Sequence, residues 1–478
     1  MTTPVKANDP QLKDIQANIL KGHGRNFAHH IFFQFLPDQQ AAIKAWIRNF
    51  AGSSVTSAYD QLKATALFKL GDIKDGGTVI TLSLSFSGLD KLGCANAIPA
   101  SSSFEQGMKS QANRLGDKPE NLDPRFDGID MMIMVADDNA ETAMNRANGI
   151  VDQTSSFATV LIDQKGNVLK TRSGIGIEHF GYADGISQPL YLEEDIDAIC
   201  SSKEWSDIAD TSILFVGETL PGKKDGNEHL GSFLVFRKLE QNVQGFKDAE
   251  GDNGDTPTNP CTARTKAQVP VIKDVNGDCD RDLAGAMLVG RHEIGTPVVQ
   301  SSIPGVDNPP RQTNDFNYAN DMSGLKCPVH AHTRLMNPRN GLPQPADPDE
   351  LRKHRITRRG MPYDEVGRIP ADKINRISDD MLDDNQPSDG VGLLFMCYQN
   401  SIEGQFEILQ GFWTEGNFGN VTVEGEDSLI GHGTKLDKTL PVQWGQPAQT
   451  ASFTFNRFIK NLGGEYLYTP SLSLLKGL

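Results

Sequence analysis

The order of hydrophobic periods along the first third of the chain constrains its fold more than any other feature. His30 to Leu36 (HIFFQFL) is dense in β-formers and reads as a strand. Gln39 to Phe50 sets Ile43, Trp46, Ile47 and Phe50 at helical spacing. Thr78 to Phe86 (TVITLSLSF) alternates over most of its length, and Asp130 to Ala136 (DMMIMVA) is an apolar run of strand length. Ala140 to Asp152 returns to a helical period, and Phe157 to Ile162 reads as a strand ended by a Gly166-Asn167 turn. The result is β-α-β-β-α-β with extra helical pieces between, the ferredoxin-like order. Ahead of it, Asp9 can cap a short helix with Pro10 in its first turn, and Leu12, Ile15 and Ile19 then share a face.

A second set of elements begins near Gly231 (GSFLVFRKL). It runs through a polar stretch at Gly245 to Thr258, a helix at Asp280 to Gly290 and a polar loop at Ser301 to Gly324. The strand GLLFMCYQ at 392–399 and the segment SFTFNRF at 452–458 complete it. These pieces predict a second α+β unit, with the boundary between about Asp195 and Glu228, where the chain turns polar.

Charge and composition exclude several classes of function. The 478 residues carry a formal net charge of −16, which argues against tracking a nucleic-acid backbone and against docking on anionic lipid. Hydrophobic residues make up 37%, too many for a disordered chain. Six scattered cysteines (Cys94, Cys200, Cys261, Cys279, Cys327, Cys397) form no CxxC pair and no disulfide framework, so they read as buried thiols in a reducing compartment. The N-terminus has neither a basic nor an apolar signal region, and no apolar run approaches the ~18–20 residues that span a bilayer. The expectation is a cytoplasmic protein without a membrane partner.

Several motifs fail on inspection. Gly174-Ile175-Gly176 would need its third glycine at His179, so it is not a dinucleotide loop. Asp274 to Asp278 begins like a calcium loop, but Cys279 stands where glycine is required and Gly285 where a carboxylate is. Cys327-Pro328-Val329-His330-Ala331-His332 offers one Cys and two His, yet no second pair at zinc spacing accompanies it.

Three segments together carry a resemblance. Phe180 to Pro189 (FGYADGISQP) resembles the GxxDG signature of the dye-decolourising haem peroxidases. Cys327 to Arg339 (CPVHAHTRLMNPR) resembles their proximal-histidine segment, and Arg358 to Tyr363 (RRGMPY) their distal-arginine segment. The three come in the family's order. DIQANILKGHGRN, GSFLVFRKLEQNV and LVGRHEIGTPV extend the likeness over most of the chain. The resemblance implies an α+β fold of two ferredoxin-like domains with antiparallel sheets, 1–210 ending in the GxxDG segment and 211–478 holding most of the haem. It implies one haem b per chain, hydrogen peroxide as oxidant and aromatic reductants. A homo-oligomer is compatible with it.

The residues can also be weighed on their own chemistry. A haem peroxidase needs a neutral imidazole on one face of the iron and an open position on the other. His330 and His332 both compete, and on a helix residues two apart point roughly opposite ways; the motif match selects His332 as ligand and leaves His330 on the surface or behind it. A carboxylate should take the ligand's other N–H, and Glu407 is a candidate. Asp184 reads either as a turn aspartate bonding its own backbone or, by resemblance, as the distal group that first takes and then returns a proton in peroxide cleavage. Its ordinary pKa of ~3.9 would favour acidic pH. Arg358 would supply fixed positive charge, with Arg359 as the alternative and a surface ion pair as the bland reading of either. Leu393 and Phe395 share a strand face and either line the pocket or pack the core. Arg334 and Arg339 are candidates for the haem propionates. Tyr363 is a candidate surface site for oxidising bulky dyes, or else a half-buried structural tyrosine. Two other classes stay open: a haem carrier that uses His332 and ignores Asp184, and a zinc-organised binding module.

Overall fold

Both sets of elements fold, and they share one sheet. The computed structural model describes residues 4–198, 208–220, 228–251, 266–280, 282–305, 314–434 and 436–478. In the first set, β1 (Phe27–Phe35) leads into α1 (Gln40–Ser53), followed by β2 (Val79–Leu84), β3 (Met131–Asp137), α2 (Ala140–Thr154) and β4 (Ala158–Asn167). β1 lies between β3 and β4, and β2 lies outside β3, all antiparallel. The run HIFFQFL does not alternate because both faces of β1 are buried. Ile31, Phe33 and Phe35 pack with Ile43, Ile47 and Phe50 of α1. Phe32 packs on the other face with Met132.

The second set repeats the order. β5 (His229–Gln241) is followed by α3 (Val243–Glu250), α4 (Asp282–Val289), α5 (His332–Met336), β6 (Thr357–Arg358), β7 (Met361–Asp364), β8 (Val391–Gln399) and α6 (Glu407–Gly411). A hairpin, β9 (Asp437–Pro441) with β10 (Thr450–Thr454), precedes β11 (Ile459–Thr469). β5 sits between β11 and β8, and β8 carries the short β6 and β7 at its far edge. The two sets meet where Tyr468 of β11 pairs with Leu84 of β2, giving a ten-stranded sheet. That sheet curls until its ends approach. A Cβ on Gly166 of β4 would lie 2.9 Å from the Met361 sulfur of β7, and Gln164 donates to Glu365 at 3.3 Å. The enclosed interior holds Phe32, Met132, Phe236, Leu394 and Tyr363, while α1 and α2 cover the outer face.

Five expectations need correction. Gly166 and Asn167 form no turn; they extend β4 against Ala28 and Phe27, and glycine stands there because β7 approaches closely. SFTFNRF lies partly in the separate β9–β10 hairpin, and the fourth strand of the second set is β11. Its alternation is interrupted by the register shift between Asn461 and Gly463. The polar stretch from Gly245 begins as helix, since α3 reaches Glu250. The helix expected after Asp9 is a single 3-10 turn, Pro10–Lys13, although Asp9 does cap it at Gln11 N, 2.9 Å. Cys94, Cys327 and Cys397 are buried free thiols as expected, but Cys279 is half-exposed and disulfide-bonded. Cys200, Cys261, residues 252–258 of the polar stretch, 306–313 of the polar loop and much of the boundary region lie outside the described residues. Among the described residues no helix is long and apolar enough to cross a membrane.

The close strand packing makes a testable contrast. A Cβ on Gly464 of β11 would lie 2.1 Å from the Phe236 carbonyl oxygen, backbone that cannot swing aside. Gly464→Ala should therefore cost about 1–3 kcal/mol in denaturant unfolding. Gly149→Ala in α2 meets nothing within 4 Å and should stabilise by about 0.5–1 kcal/mol in the same measurement.

Candidate active site

Register in the second half of the sheet builds one wall of a cavity of about 280 Å³. Leu393 pairs with Leu239, and Phe395 pairs with Arg237, so alternate residues of β8 and β5 project to the same side. Leu393 and Phe395 do line the cavity, together with Arg237, Leu239 and Gln241. The opposite side is formed by α5 and the segment around Leu429 and Ile430.

His332 is the first residue of α5 and lines the cavity. Its Nδ1 lies 2.7 Å from Oδ2 of Asp427, a fully buried carboxylate that also accepts the amides of Leu429 (2.8 Å) and Ile430 (3.0 Å). Burial pushes the Asp427 carboxyl up, but His332 and those two amides outweigh it and hold it below the usual carboxylate range. An ionised acceptor at Nδ1 places the ring proton there and leaves the Nε2 lone pair available. Nε2 has no hydrogen-bond partner among the described residues. An imidazole oriented by a buried carboxylate, beside a largely apolar cavity, fits the axial-ligand role in a haem site.

The carboxylate behind His332 is Asp427 and not Glu407. Glu407 accepts from Arg114 at 2.5 Å and from the Tyr466 hydroxyl at 2.9 Å, on the far side of α6. His330 is buried rather than on the surface, with Nε2 3.4 Å from the Thr439 carbonyl and Nδ1 without a partner among the described residues. It precedes α5, and the cavity is lined by His332 and not by His330. Burial lowers its pKa to about 4.

Asp184 faces the same cavity from the GxxDG segment. Gly181 and Gly185 take φ of +98° and +75°, left-handed conformations that glycine adopts without strain, and so the chain turns sharply on both sides of the aspartate. Asp184 Oδ1 accepts from the Gly185 amide at 2.6 Å and from Arg358 Nη1 at 2.7 Å. Arg358 also donates to the Ser187 carbonyl at 3.1 Å. Burial pushes the Asp184 carboxyl up, yet Arg358, the Gly185 amide and the more distant His332 ring together hold it below its ordinary value. Asp184 thus bonds its own turn and also lines the cavity. Arg359 is turned away, donating to the carbonyls of Asn18 (2.6 Å) and Ile19 (2.8 Å).

Two further candidates do not reach the cavity. Arg334 is buried against Asp321 (3.2 Å) and the carbonyls of Cys327 (2.6 Å) and Gly341 (3.2 Å), where it ties the α5 segment together. Tyr363 is fully enclosed in the barrel interior, its hydroxyl without a partner among the described residues, packed over Gly392 and under the Lys238 ammonium at 4.8 Å. It cannot act as a surface oxidation site, because β7 directs it inward. Arg339 does line the cavity, donating to the Phe316 carbonyl and to Ser187 Oγ at 3.2 and 3.1 Å. The sequence reading missed Asp427, Glu178, Arg237 and Gln241. Nothing distinguishes Asp427 from the other acidic residues until the fold places it behind His332; Glu178 stood two residues before the quoted signature.

Comparison with known proteins agrees with this geometry. Residues 14–169 match the family described as the DyP dimeric alpha+beta barrel domain. The chain is 33% identical over 483 residues to the multifunctional dye peroxidase of an Amycolatopsis species, covering 98% of this chain and 96% of that protein. It is 27% identical over 490 residues to Peroxidase 2 of Mycetinis scorodonius, covering 97% and 87%. It is also similar to the crystal structure of a DyP-type peroxidase of an Anabaena species, with a TM-score of 0.83 at 33% identity, covering 99% of this chain and 96% of that one.

Asp427→Asn should weaken haem binding by about 10- to 100-fold, because the imidazole loses its charged acceptor. Titration of haem into the haem-free variant, followed at the Soret band, measures this. Glu407→Gln should leave that affinity unchanged.

Proposed function

Since the chain belongs to the dye-decolourising peroxidase family, we propose that it is a haem b peroxidase that reduces hydrogen peroxide to water and oxidises dyes and other aromatic donors by one-electron steps, and that it stays active down to acidic pH. The observation that carries this reading is a single cavity lined by a carboxylate-oriented imidazole, His332, and by a carboxylate–guanidinium pair, Asp184 and Arg358. One haem per chain would be held mainly by the unit 211–478, with the unit 1–210 contributing the Asp184 loop. His332 would ligate its iron, Arg339 would meet a propionate, and Leu393 and Phe395 would keep water from the wall.

Bound haem would supply the redox centre, giving two electrons to peroxide and regaining them one at a time from two donor molecules. The chain's own residues manage the protons. Asp184 accepts a proton from one peroxide oxygen and delivers it to the other as it departs as water, so one carboxylate acts as base and then as acid. Arg358 holds Asp184 in place and offers permanent positive charge to the electron density that builds on the departing oxygen. Since Tyr363 is enclosed, donors must meet the oxidised centre at the cavity or through another side chain. Hydrogen peroxide and small aromatic reductants are the partners this geometry calls for.

The pH dependence follows from Asp184. Its pKa in the folded protein is depressed, so the carboxylate needed as base is present above the ordinary aspartate value of ~3.9 and is lost only as pH falls below it. The rate of reaction with peroxide should therefore be flat above about pH 4 and fall below that. Stopped-flow mixing at a series of pH values checks this. Asp184→Asn should keep the Soret band and lose about 10²- to 10⁴-fold in that rate. Undiminished reaction in Asp184→Asn would overturn the proton-transfer role given to this residue.

A further inference from the structure

The cavity has a second carboxyl group that takes no part in these steps. Glu178 lies at the foot of the loop that carries Asp184, and it faces the cavity beside Gln241. Its Oε2 accepts the Phe180 amide at 2.9 Å and its Oε1 accepts the Tyr182 amide at 3.0 Å. Gln241, the last residue of β5, donates to the same carboxyl group through Nε2. The backbone closes around this centre: Glu178 N donates to Tyr182 O, Gly181 N to Glu178 O, and Asp184 N to Gly176 O. Among the described residues the Asp184 carboxylate has only the Gly185 amide and Arg358 as partners, so its place depends on how the loop before it is folded.

We propose that Glu178 is a positioning residue for Asp184: its carboxyl group is the centre on which the 178–184 loop folds, and Gln241 anchors that centre to the cavity wall. The inference rests on the reading of Asp184 as the proton-transfer group. A polar acceptor that collects two loop amides within four residues satisfies donors that a sharp turn would otherwise leave buried and unpaired. The anchor has a second consequence. Gln241 belongs to the same strand as Arg237 and Leu239, so the loop bearing Asp184 and the wall bearing Leu393 are held in one frame. Burial drives the Glu178 carboxyl up to about 7, with Asp184 adding to this and the Phe180 amide, Gln241 and the Tyr182 amide opposing it. Other groups face the site: Tyr182 and Phe180 from the loop, Arg368 from the segment after β7, and Glu293, which also accepts from Lys247 at 2.7 Å.

The test uses the haem-loaded enzyme with Glu178→Gln, Gln241→Ala and, as reference, Asp184→Asn. Three quantities are read: haem content with the Soret spectrum, the peroxide rate against pH, and hydrogen–deuterium exchange of the 178–185 peptide, the last also in haem-free protein. Glu178→Gln replaces one acceptor oxygen by an amide donor. It should leave haem content unchanged, slow the peroxide reaction by about 10- to 100-fold, as a displaced catalytic group does, and speed exchange at residues 180–184 alone. The acid limb of the pH profile should move to higher pH, because Asp184 drawn off Gly185 and Arg358 loses the contacts that depress its pKa. Faster exchange with an unchanged rate and an unchanged acid limb overturns the proposal. So does a slower rate with no shift of the acid limb and equal loss of exchange protection throughout the protein, which would mark a merely structural role. If Glu178→Gln does not fold, Gln241→Ala decides: the same three changes in smaller measure support the proposal, and wild-type rate and exchange overturn it. Full peroxide reactivity in Asp184→Asn would overturn the assignment of Asp184, and this inference with it. Unchanged exchange and rate in Glu178→Gln beside an inactive Asp184→Asn would sink this inference alone.

Discussion

Pairing of β5 with β8 is the contact on which the rest of the molecule depends. One face of the pair, with Arg237, Leu239, Gln241, Leu393 and Phe395, is the cavity wall. The other face, with Phe236, Leu394 and Met396, is the barrel interior. Side chains alternate along a strand, so a slip of one residue would send the cavity wall into the core and the core into the cavity. The register is held from both sides: β11 packs against β5, with Gly464 opposite Arg237, and β7 pairs with β8. The sheet curls until β4 approaches β7 at Gly166 and Met361.

Within that frame, the cavity is organised by two carboxylates that are kept ionised for different reasons. Asp427 is buried behind His332 and stabilised by the imidazole and two backbone amides. Asp184 faces the cavity and is stabilised by Arg358 and the Gly185 amide. Burial alone would push both toward the neutral form. The partners reverse this and both stay charged, Asp427 holding the His332 ring from behind and Asp184 facing the cavity beside Arg358. Glu178 shows the opposite balance, since its desolvation outweighs its hydrogen bonds and its pKa rises.

Much of this was legible in one dimension. The β-α-β-β-α-β order of the first set survives in the structure because each element is long and strongly periodic, as with Ile43, Ile47 and Phe50 of α1. Elements whose period is interrupted were hidden. β11 escaped because Gly463 and Gly464, required for close approach to Phe126 and to the Phe236 carbonyl, break the alternation. Gly166 looked like a turn for the same reason, since glycine needed for contact with another strand and glycine needed for a bend are the same letter. Among the site residues, His332, Asp184 and Arg358 were singled out because the three segments that carry them resemble a known family's motifs. Arg334 and Tyr363 share those motifs, yet one turns to brace its own segment and the other points into the barrel.

What the sequence determined by itself was the set of parts: two runs of strands and helices, the first in ferredoxin-like order, and segments bearing a glycine-bounded aspartate, a histidine and an arginine. These follow from short-range physics, namely periodicity, backbone conformational preference and side-chain chemistry. Tertiary structure alone decided which parts face one another. Asp427 lies 95 positions from His332, and Arg358 lies 174 positions from Asp184. Contacts of that kind are created by the closure of one sheet over both halves of the chain, and no local pattern encodes which acidic residue will arrive behind an imidazole. The same closure turned Tyr363 inward and set Gln241 against Glu178, so the long-range packing chose the working residues from a longer list that the sequence supplied.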